Sequence, residues 1–281
     1  DRVLIGGEDP EAVDALVNIY LNWVPSEQII CTNLWSSELS KLAANAFLAQ
    51  RISSINSISA FCEATGADVT EVAKAIGTDK RIGNQFLSAG PGFGGSCFKK
   101  DILNLVYLSG YFGLPEVAKY WSQVVELNTW QQDRIYKIVL EKLFGTVNGK
   151  NIAILGFSFK ANTNDTRESP AISISGDLLE EGAILSIYDP KVSFERIEED
   201  LEKFSLNNQG IWKMANSIPE ALKNVDAVLI LTAWDEFFGL DWNYLASLMR
   251  SPAWVFDTRS VVNRKEIENT CINLWKLGEG N

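Results

Sequence analysis

The hydrophobic pattern of this chain changes near residue 149, and this change constrains the possible folds more than any other feature. Between Trp35 and Gly66 apolar residues recur mostly in steps of three and four, and a second long run of this kind follows Pro115. Such spacing places apolar side chains on one face of a helix. With shorter helices expected at residues 68–76 and 101–108, the first half of the chain is predicted to be helical.

After residue 149, short apolar runs of strand character alternate with helical stretches. The runs lie at residues 152–155, 184–187, 227–231, 254–256 and 272–275, with a weaker one at 211–214. Strands that alternate with helices are typical of βαβ units, in which a parallel sheet is covered on both faces. We therefore predict an α/β chain of two domains. Residues 1–148 would form a central all-helical domain, and residues 149–281 a doubly wound parallel-sheet domain of Rossmann-like type.

The composition removes several classes of chemistry. The chain has no histidine, which excludes Ser-His-Asp triads, Cys-His nucleophiles, histidine-ligated zinc and imidazole acid–base catalysis. Catalysis must then use Cys, Lys, Asp, Glu, Tyr or a cofactor, and we predict no metal site. A net charge of −11 argues against a nucleic-acid partner. No apolar run is long enough for a membrane span and the four cysteines form no C-x-x-C pair, so a reduced, cytoplasmic protein is predicted.

The segment from Gly90 to Asp101 is the most suggestive of chemistry. Its glycines have the spacing of a dinucleotide fingerprint, but a true fingerprint follows a strand, whereas this segment follows a helical region. Glycines also let a loop approach a ligand closely. Cys97 lies just before a predicted helix and beside Lys99 and Lys100, and both surroundings favour a thiolate. We therefore interpret Cys97 as a reactive thiol at a ligand-contacting loop, and the other three cysteines as inert and buried.

Lys41 and Asn45 form a second candidate group on the long first helix. Because they are four residues apart, they share one helix face and can point at one spot. Their neighbours are apolar, and polar groups in such surroundings need partners. A surface charge and a solvated amide remain the alternative interpretation.

Basic residues follow two of the predicted strands in the second domain. Lys160 and Arg167 lie in the loop after the first strand, and Arg259 follows a later one. Open α/β sheets bind ligands at the carboxyl ends of their strands, and these cations would suit an anion such as a diphosphate. On the residues alone, ordinary solvated surface charge is an equal alternative.

With these motifs in hand, the whole chain resembles the animal-type UDP-glucose 6-dehydrogenase family. The matching segments run from one end of the chain to the other: residues 2–7, 35–56, 81–84, 93–101, 156–169, 188–191 and 256–259. The resemblance implies that the second domain binds a UDP-sugar and that the first mediates dimerisation through its long helices, within a higher homo-oligomer. It further implies that UDP-glucose is oxidised to UDP-glucuronate in two steps, with NAD as the cofactor that accepts a hydride in each.

The resemblance also assigns roles to the catalytic candidates. Cys97 would trap the intermediate aldehyde as a thiohemiacetal, whose oxidation gives a thioester that water hydrolyses. Lys41 would stabilise the developing oxyanion, with Asn45 holding it or a water molecule. Asp101 would orient water or activate it as a base.

Further residues are implied to bind substrate and cofactor. The sugar and uridine site would be lined by Phe86, Leu87, Phe93 and Gly94, with Lys160 and Arg259 on the diphosphate or the sugar. Arg81 would reach the substrate of a neighbouring subunit. Arg167 and Lys100 would face the NAD.

Some features depart from the family pattern. Ser88 stands where a lysine is usual, Ala161 belongs to a pair that replaces Lys-Asp, and Ala233 replaces a glutamate. The N-terminal NAD-binding domain is expected to be absent from this sequence, so the chain alone is expected to be inactive. Two alternatives stay open: a related dehydrogenase acting on UDP-N-acetylmannosamine or GDP-mannose, and a non-catalytic module that binds UDP-sugar or mediates oligomerisation.

Overall fold

A computed structural model describes residues 2–204 and 209–280 of the chain. Asp1, residues 205–208 and Asn281 lie outside the described residues, and with them the outer limits of both predicted domains. The chain divides into two compact units, one of residues 1–48 and 100–122 and the other of residues 49–99 and 123–281. The division at residues 148–149 inferred from the sequence remains a prediction.

The first unit opens with a parallel β-α-β motif. Strand β1 (Val3–Gly6) pairs with β2 (Ile29–Thr32), and helix α1 (Pro10–Tyr20) connects them. This motif corrects the expectation that the first region is all-helical. Each strand is only four residues long, and so short an apolar run does not reveal its secondary structure by periodicity.

Four helices follow, as the sequence pattern predicts. They are α2 (Leu34–Thr65), α3 (Val69–Gly77), α4 (Phe98–Tyr111) and α5 (Pro115–Lys142). Helix α2 begins directly after Asn33, whose side chain accepts a 2.8 Å hydrogen bond from the Ser36 amide. Helix α4 begins three residues earlier than predicted, directly after Cys97.

The second unit contains the predicted parallel sheet, and the α/β fold class is confirmed. Its strands have the order β5-β4-β3-β6-β7-β8, and all neighbouring pairs are parallel. The strands are β3 (Asn151–Leu155), β4 (Ile184–Tyr188), β5 (Ile211–Met214), β6 (Ala227–Ile230), β7 (Ala253–Asp257) and β8 (Ile272–Lys276). The connecting helices are α6 (Pro170–Glu180), α7 (Phe194–Glu202), α8 (Ile218–Ala221), α9 (Trp242–Leu248) and α10 (Arg264–Ile267).

Two apolar clusters cover the two faces of this sheet. One joins the C-terminal half of α5 with α6 and α7, and the other joins α8, α9 and α10. The central strands β3 and β6 are buried throughout or nearly so, which explains why they appear in the sequence as continuous apolar runs. Within the described ranges, no helix is both long and apolar enough to cross a membrane.

Candidate functional site

The strand order of the second unit places a crevice at the centre of its sheet. The chain runs outward from β3 through β4 to β5, then returns to β6 and runs outward the other way. Open α/β sheets bind ligands outside the carboxyl ends of the strands at such a switch point. The loops after β3 and β6 are bonded to each other there, because the Thr232 hydroxyl donates to the Ser158 carbonyl oxygen at 2.6 Å.

A buried carboxylate, Asp189 at the end of β4, shapes the start of the loop that follows β3. One of its oxygens accepts hydrogen bonds from the Phe157 and Ser158 amides at 2.7 and 3.0 Å. The indole nitrogen of Trp234 donates to the same oxygen at 3.1 Å. This residue was not among the predicted site residues. An acidic residue directly after a buried strand, at the edge where ligands bind, is the signal that identifies it.

The glycine-rich segment packs against this same loop. The Gly95 amide donates to the Arg167 carbonyl oxygen at 2.8 Å, and the Lys99 ammonium pairs with the Glu168 carboxylate at 2.8 Å. A Cβ placed on Gly94 would lie 2.5 Å from the Glu168 carbonyl oxygen, so the contact requires glycine. Two segments that were singled out separately in the sequence therefore form one surface.

Cys97 is exposed on this surface and directly precedes α4. No strand leads into the glycine segment, which agrees with rejecting the dinucleotide fingerprint. Among the other cysteines, Cys62 is buried as expected, whereas Cys31 and Cys271 are exposed, contrary to the expectation. Cys31 lies on a strand of a two-stranded sheet and Cys271 in the turn before the edge strand β8, and neither position is covered.

The predicted anion-binding residues differ in how firmly they are held. Arg259 is partly buried, its Nε donates to the Leu231 carbonyl oxygen at 2.8 Å, and its guanidinium lies against Gly90. Burial lowers the pKa of Arg259 to about 10, so it stays protonated at neutral pH. Lys160 is exposed, with its ammonium 5.4 Å from the centre of the Phe159 ring. These two cations flank the switch point and could bind a diphosphate.

Arg167 is exposed and paired with Asp165 at 2.7 Å. Its hydrogen bonds with Asp165 raise its pKa, so it stays a cation throughout the neutral range. Arg81 likewise lies on the surface, paired with Asp79 at 2.6 Å. Each guanidinium is thus exposed but bound to a neighbouring carboxylate, and Lys100 of the first unit is also exposed.

Three aromatic residues of the second unit lie in a row at the glycine segment. The Phe98 ring contacts Phe93 at 5.8 Å and Phe86 at 6.4 Å between ring centres, both edge to face. Phe86 is partly exposed and has a left-handed backbone, with φ of 59°. Leu87 differs from the expectation for a lining residue, because its side chain is buried in a small core around Ile55. Only its backbone could contact a ligand.

The first unit brings the other catalytic candidates together. Lys41 donates to both carboxylate oxygens of Asp101 at 2.9 and 3.2 Å, and Asn45 donates to one of them. Burial acts to raise the pKa of Asp101, but the bonds from Lys41 and Asn45 and the charges of Lys41 and Lys100 outweigh it and lower the pKa. Asp101 is therefore ionised at neutral pH. The helix spacing of Lys41 and Asn45 predicted a shared target, and the target is this carboxylate.

A cavity of about 730 Å³ lies beside this group within the first unit. Lys41, Lys100 and Asp101 form part of its wall, and the remainder is mainly apolar residues of α2, α4 and the start of α5. The exposed ammonium of Lys41 and the buried carboxylate thus border a space large enough for a small ligand.

Comparisons with known proteins match both halves of the chain. The UDP-glucose/GDP-mannose dehydrogenase family matches with its central domain at residues 35–130 and with its UDP binding domain at residues 153–264. UDP-glucose 6-dehydrogenase 1 of Arabidopsis thaliana is 52% identical over 99% of this chain and 62% of its own length. UDP-glucose 6-dehydrogenase of Drosophila melanogaster is 52% identical over 99% of this chain and 60% of its own. The chain thus spans about three-fifths of the length of these relatives.

A solved structure supports the same assignment. A UDP-glucose dehydrogenase from the archaeon Pyrobaculum islandicum superimposes with a TM-score of 0.83 at 30% identity, covering 100% of this chain and 59% of the other. The resemblance proposed from the sequence motifs is therefore confirmed.

Proposed function

The chain belongs to the UDP-glucose/GDP-mannose dehydrogenase family, as its central and UDP-binding domains show, and from this we propose that it provides the nucleophile and the UDP-sugar site of an NAD-dependent UDP-glucose 6-dehydrogenase. The observation that carries the proposal is the packing of the Cys97 loop on the loop after β3, beside Lys160 and Arg259 at the switch point of the sheet. A soft nucleophile and a diphosphate-binding pair of cations then share one unit.

In this proposal the UDP moiety binds at the switch point. Arg259 presents its terminal nitrogens to the diphosphate because its Nε is already engaged with Leu231. Lys160 adds a second positive charge. Phe86, Phe93, Gly94 and the backbone of Leu87 line the sugar and uridine, and Arg81 reaches the substrate of a second copy in a homodimer built through the long helices.

The covalent chemistry falls to Cys97. Its sulfur adds to the carbonyl carbon of the C6 aldehyde, forming a C–S bond and placing the negative charge on oxygen, which becomes the hydroxyl of a thiohemiacetal. After oxidation to the thioester, water attacks the same carbon and the C–S bond breaks. Cys97 regains its proton as the carboxylic acid leaves.

Three residues of the first unit are assigned to the oxyanion and to the water molecule of the proposed reaction. Lys41 stabilises the oxyanion, and Asn45 holds the Lys41–Asp101 pair or a water molecule. Because its pKa is lowered, Asp101 is a weak base. We therefore assign it mainly to orienting Lys41 and water and only secondarily to removing a proton.

The phosphates of NAD could be contacted by cations of either unit. Arg167 and Lys100 are exposed cations of the kind that contact phosphates, while the loop after β3 carries no glycine fingerprint. When bound, NAD accepts one hydride in each of the two oxidations. In the cell we place the reaction in the cytoplasm and the enzyme in a homo-oligomer.

Calorimetric titration of the chain with UDP-glucose, UDP-N-acetylmannosamine and GDP-mannose tests substrate choice. We expect UDP-glucose to bind most tightly, and tighter binding of GDP-mannose would assign the chain to the other branch of the family. The Lys160→Ala variant should bind UDP-glucose about 10-fold more weakly, since it loses one charge-assisted contact. Lys223→Ala removes an exposed lysine after α8 and serves as its control.

Catalysis is tested by following NADH absorbance with UDP-glucose and NAD. Cys97→Ser should leave UDP-glucose binding intact and abolish formation of the acid in the enzyme that includes an NAD-binding domain. Full conversion by that variant would contradict the role of Cys97. Turnover by the 281 residues alone would exclude the alternative of a non-catalytic module that only binds the sugar nucleotide.

A further inference from the structure

Three buried amide side chains form hydrogen bonds with the backbone of the glycine segment. The Gly90 amide donates to Asn56 Oδ1 at 2.9 Å, and the Gly90 carbonyl oxygen accepts from Gln131 Nε2 at 2.9 Å. The Phe93 amide donates to Asn128 Oδ1 at 2.8 Å, and its carbonyl oxygen accepts from Asn128 Nδ2 at 3.1 Å. Both polar backbone groups at each end of the segment are thereby satisfied by side chains.

These side chains supply the loop backbone with the hydrogen bonds that a helix or sheet would otherwise provide. A glycine-rich segment gains much entropy when it is released, and its backbone groups need partners when they are buried. Asn128 and Gln131 are three residues apart on one face of α5, and Asn56 approaches from α2. All three side chains are at least nine-tenths buried, so water does not compete with them.

The amides serve the shape of the loop at some cost in stability. Asn56 Nδ2 is buried and finds no acceptor in the described part of the chain. An unsatisfied buried donor is unfavourable, so an apolar residue would suit this position better if only the core mattered.

Gln131 is itself held by a charged pair. The Arg134 Nε donates to Gln131 Oε1 at 3.3 Å, and the Arg134 guanidinium makes a bidentate pair with Glu63 at 2.9 and 3.0 Å. The Gln131 amide, which donates to Gly90, is thus oriented by a partly buried ion pair between α2 and α5.

We propose that Asn56, Asn128 and Gln131 are positioning residues that keep the Gly90–Phe93 segment in the shape that presents Cys97 at the start of α4. The loop is then formed before substrate arrives. The importance of this shape for catalysis rests on the proposed function. The claim that these amides hold the Cys97 thiol in place before α4 does not depend on the proposed function.

The experiment measures alkylation of Cys97 by iodoacetamide in the 281-residue chain, followed peptide by peptide with mass spectrometry. We expect Asn128→Ala and Gln131→Ala each to slow the reaction at Cys97 about 10-fold, because a released loop no longer holds the thiol in the one exposed position that it has here. Exposed Cys31 and Cys271 react in the same sample and should keep their rates.

Two controls separate positioning from general loss of stability. Gln123→Ala removes an exposed amide from the same helix and should leave the Cys97 rate unchanged. Leu245→Ala truncates the core on the other side of the sheet, and it should lower the melting temperature without slowing Cys97. An unchanged Cys97 rate in both amide variants, or equal slowing in Leu245→Ala, would overturn the proposal. No sugar nucleotide is needed, so failure to bind UDP-glucose would count against the proposed function alone.

Discussion

The pair of Lys41 and Asp101 joins an exposed cation to a buried carboxylate. The Lys41 side chain is 66% exposed and that of Asp101 only 6%. The carboxylate can remain charged at such a depth because Lys41 and Asn45 both donate to it. Most of the lysine side chain stays exposed, which suits the oxyanion-stabilising role proposed for it.

Asp101→Asn should destabilise the protein in a pH-dependent way. Because the folded-state pKa of Asp101 lies below its ordinary 3.8, its stabilising contribution is present above that value and is lost as pH falls through the folded-state pKa. We expect the variant to lose about 1 kcal/mol of unfolding free energy at pH 7, a modest loss because Lys41 is exposed. The difference should shrink below about pH 4. Urea unfolding at both pH values measures it, and a difference that grows on acidification would contradict this account.

At the scale of elements, the segment after β8 closes against the turn between α2 and α3. The Val69 amide donates to the Gly278 carbonyl oxygen and the Gly280 amide to that of Ala67, both at 2.8 Å. Glu63 at the end of α2 accepts from the Gly278 amide at 2.8 Å. The last strand of the sheet is thereby tied to the helices that carry the glycine loop.

Gly278→Ala tests this closure. Gly278 has φ of 75°, and a Cβ there would lie 2.3 Å from Val69 Cγ1. We expect a loss of about 3 kcal/mol in unfolding free energy, from the left-handed backbone and the clash together. Gly239 has φ of 67° with no atom within 4 Å of its added Cβ, so Gly239→Ala should lose only about 1 kcal/mol. Equal losses at the two positions would show that the close contact with Val69 does not matter.

Helix α6 carries an acid that opposes folding at neutral pH. Burial, followed by the charges of Asp133 and Glu180, raises the pKa of Asp177 from 3.8 to about 6. A raised carboxyl pKa means that the folded state binds more protons between these values, so stability falls as pH rises from about 4 to about 6. Asp177→Asn should therefore stabilise the protein by about 2 kcal/mol at pH 7.5 and by little below about pH 4. Thermal melts across this range check it, with Asp133→Asn expected to give a smaller gain. A gain that is largest in acid would have the wrong sign.

The elements that could be predicted from the sequence are those whose pattern repeats locally. Helices α2 and α5 are long enough for their spacing to be unambiguous, and the buried strands of the sheet appear as continuous apolar runs between turns. Strands β1 and β2 could not be predicted, because four residues contain too few repeats. Asn56, Asn128 and Gln131 were missed for a different reason. A buried amide and a solvated one look identical in sequence until the partner, here a glycine loop some 35 residues away, is known.

For the site, the sequence identified the segments and the structure supplied their connections. The expectation that loops after different strands lie at one sheet edge follows from parallel topology. Arg259, which follows β7, donates to the Leu231 carbonyl oxygen directly after β6. The contact of Gly94 with Glu168 depends on how distant segments pack, which no local pattern encodes.

At the scale of the whole molecule, the two compact units hold different parts of the predicted machinery. Lys160 and Arg259, the cations proposed for a diphosphate, and Cys97, the proposed nucleophile, belong to the second unit, and the Lys41–Asp101 pair to the first. Ligand binding to one unit need not stabilise the other equally, so a single melting temperature would mix two responses.

Hydrogen exchange resolved by peptide separates these responses. With UDP-glucose at 100 times its dissociation constant, binding adds about 2.7 kcal/mol to the stability of the state that binds it. We expect slower exchange in the glycine loop, in residues 156–169 and in the loop after β7, with α1 unchanged. Slowing confined to α1 and its two strands would contradict the assignment of the UDP site to the second unit.

The hydrogen bond between Glu63 and Gly278 has a consequence for how the protein is made. The two residues are separated by 215 positions, and at about 5–20 residues per second the ribosome needs about 10–40 s to synthesise the chain between them. Arg134 is available to the Glu63 carboxylate much sooner, 71 positions after it. The Glu63 carboxylate can therefore form its charged pair early in synthesis, whereas the Gly278 amide can reach it only after β8 has been synthesised.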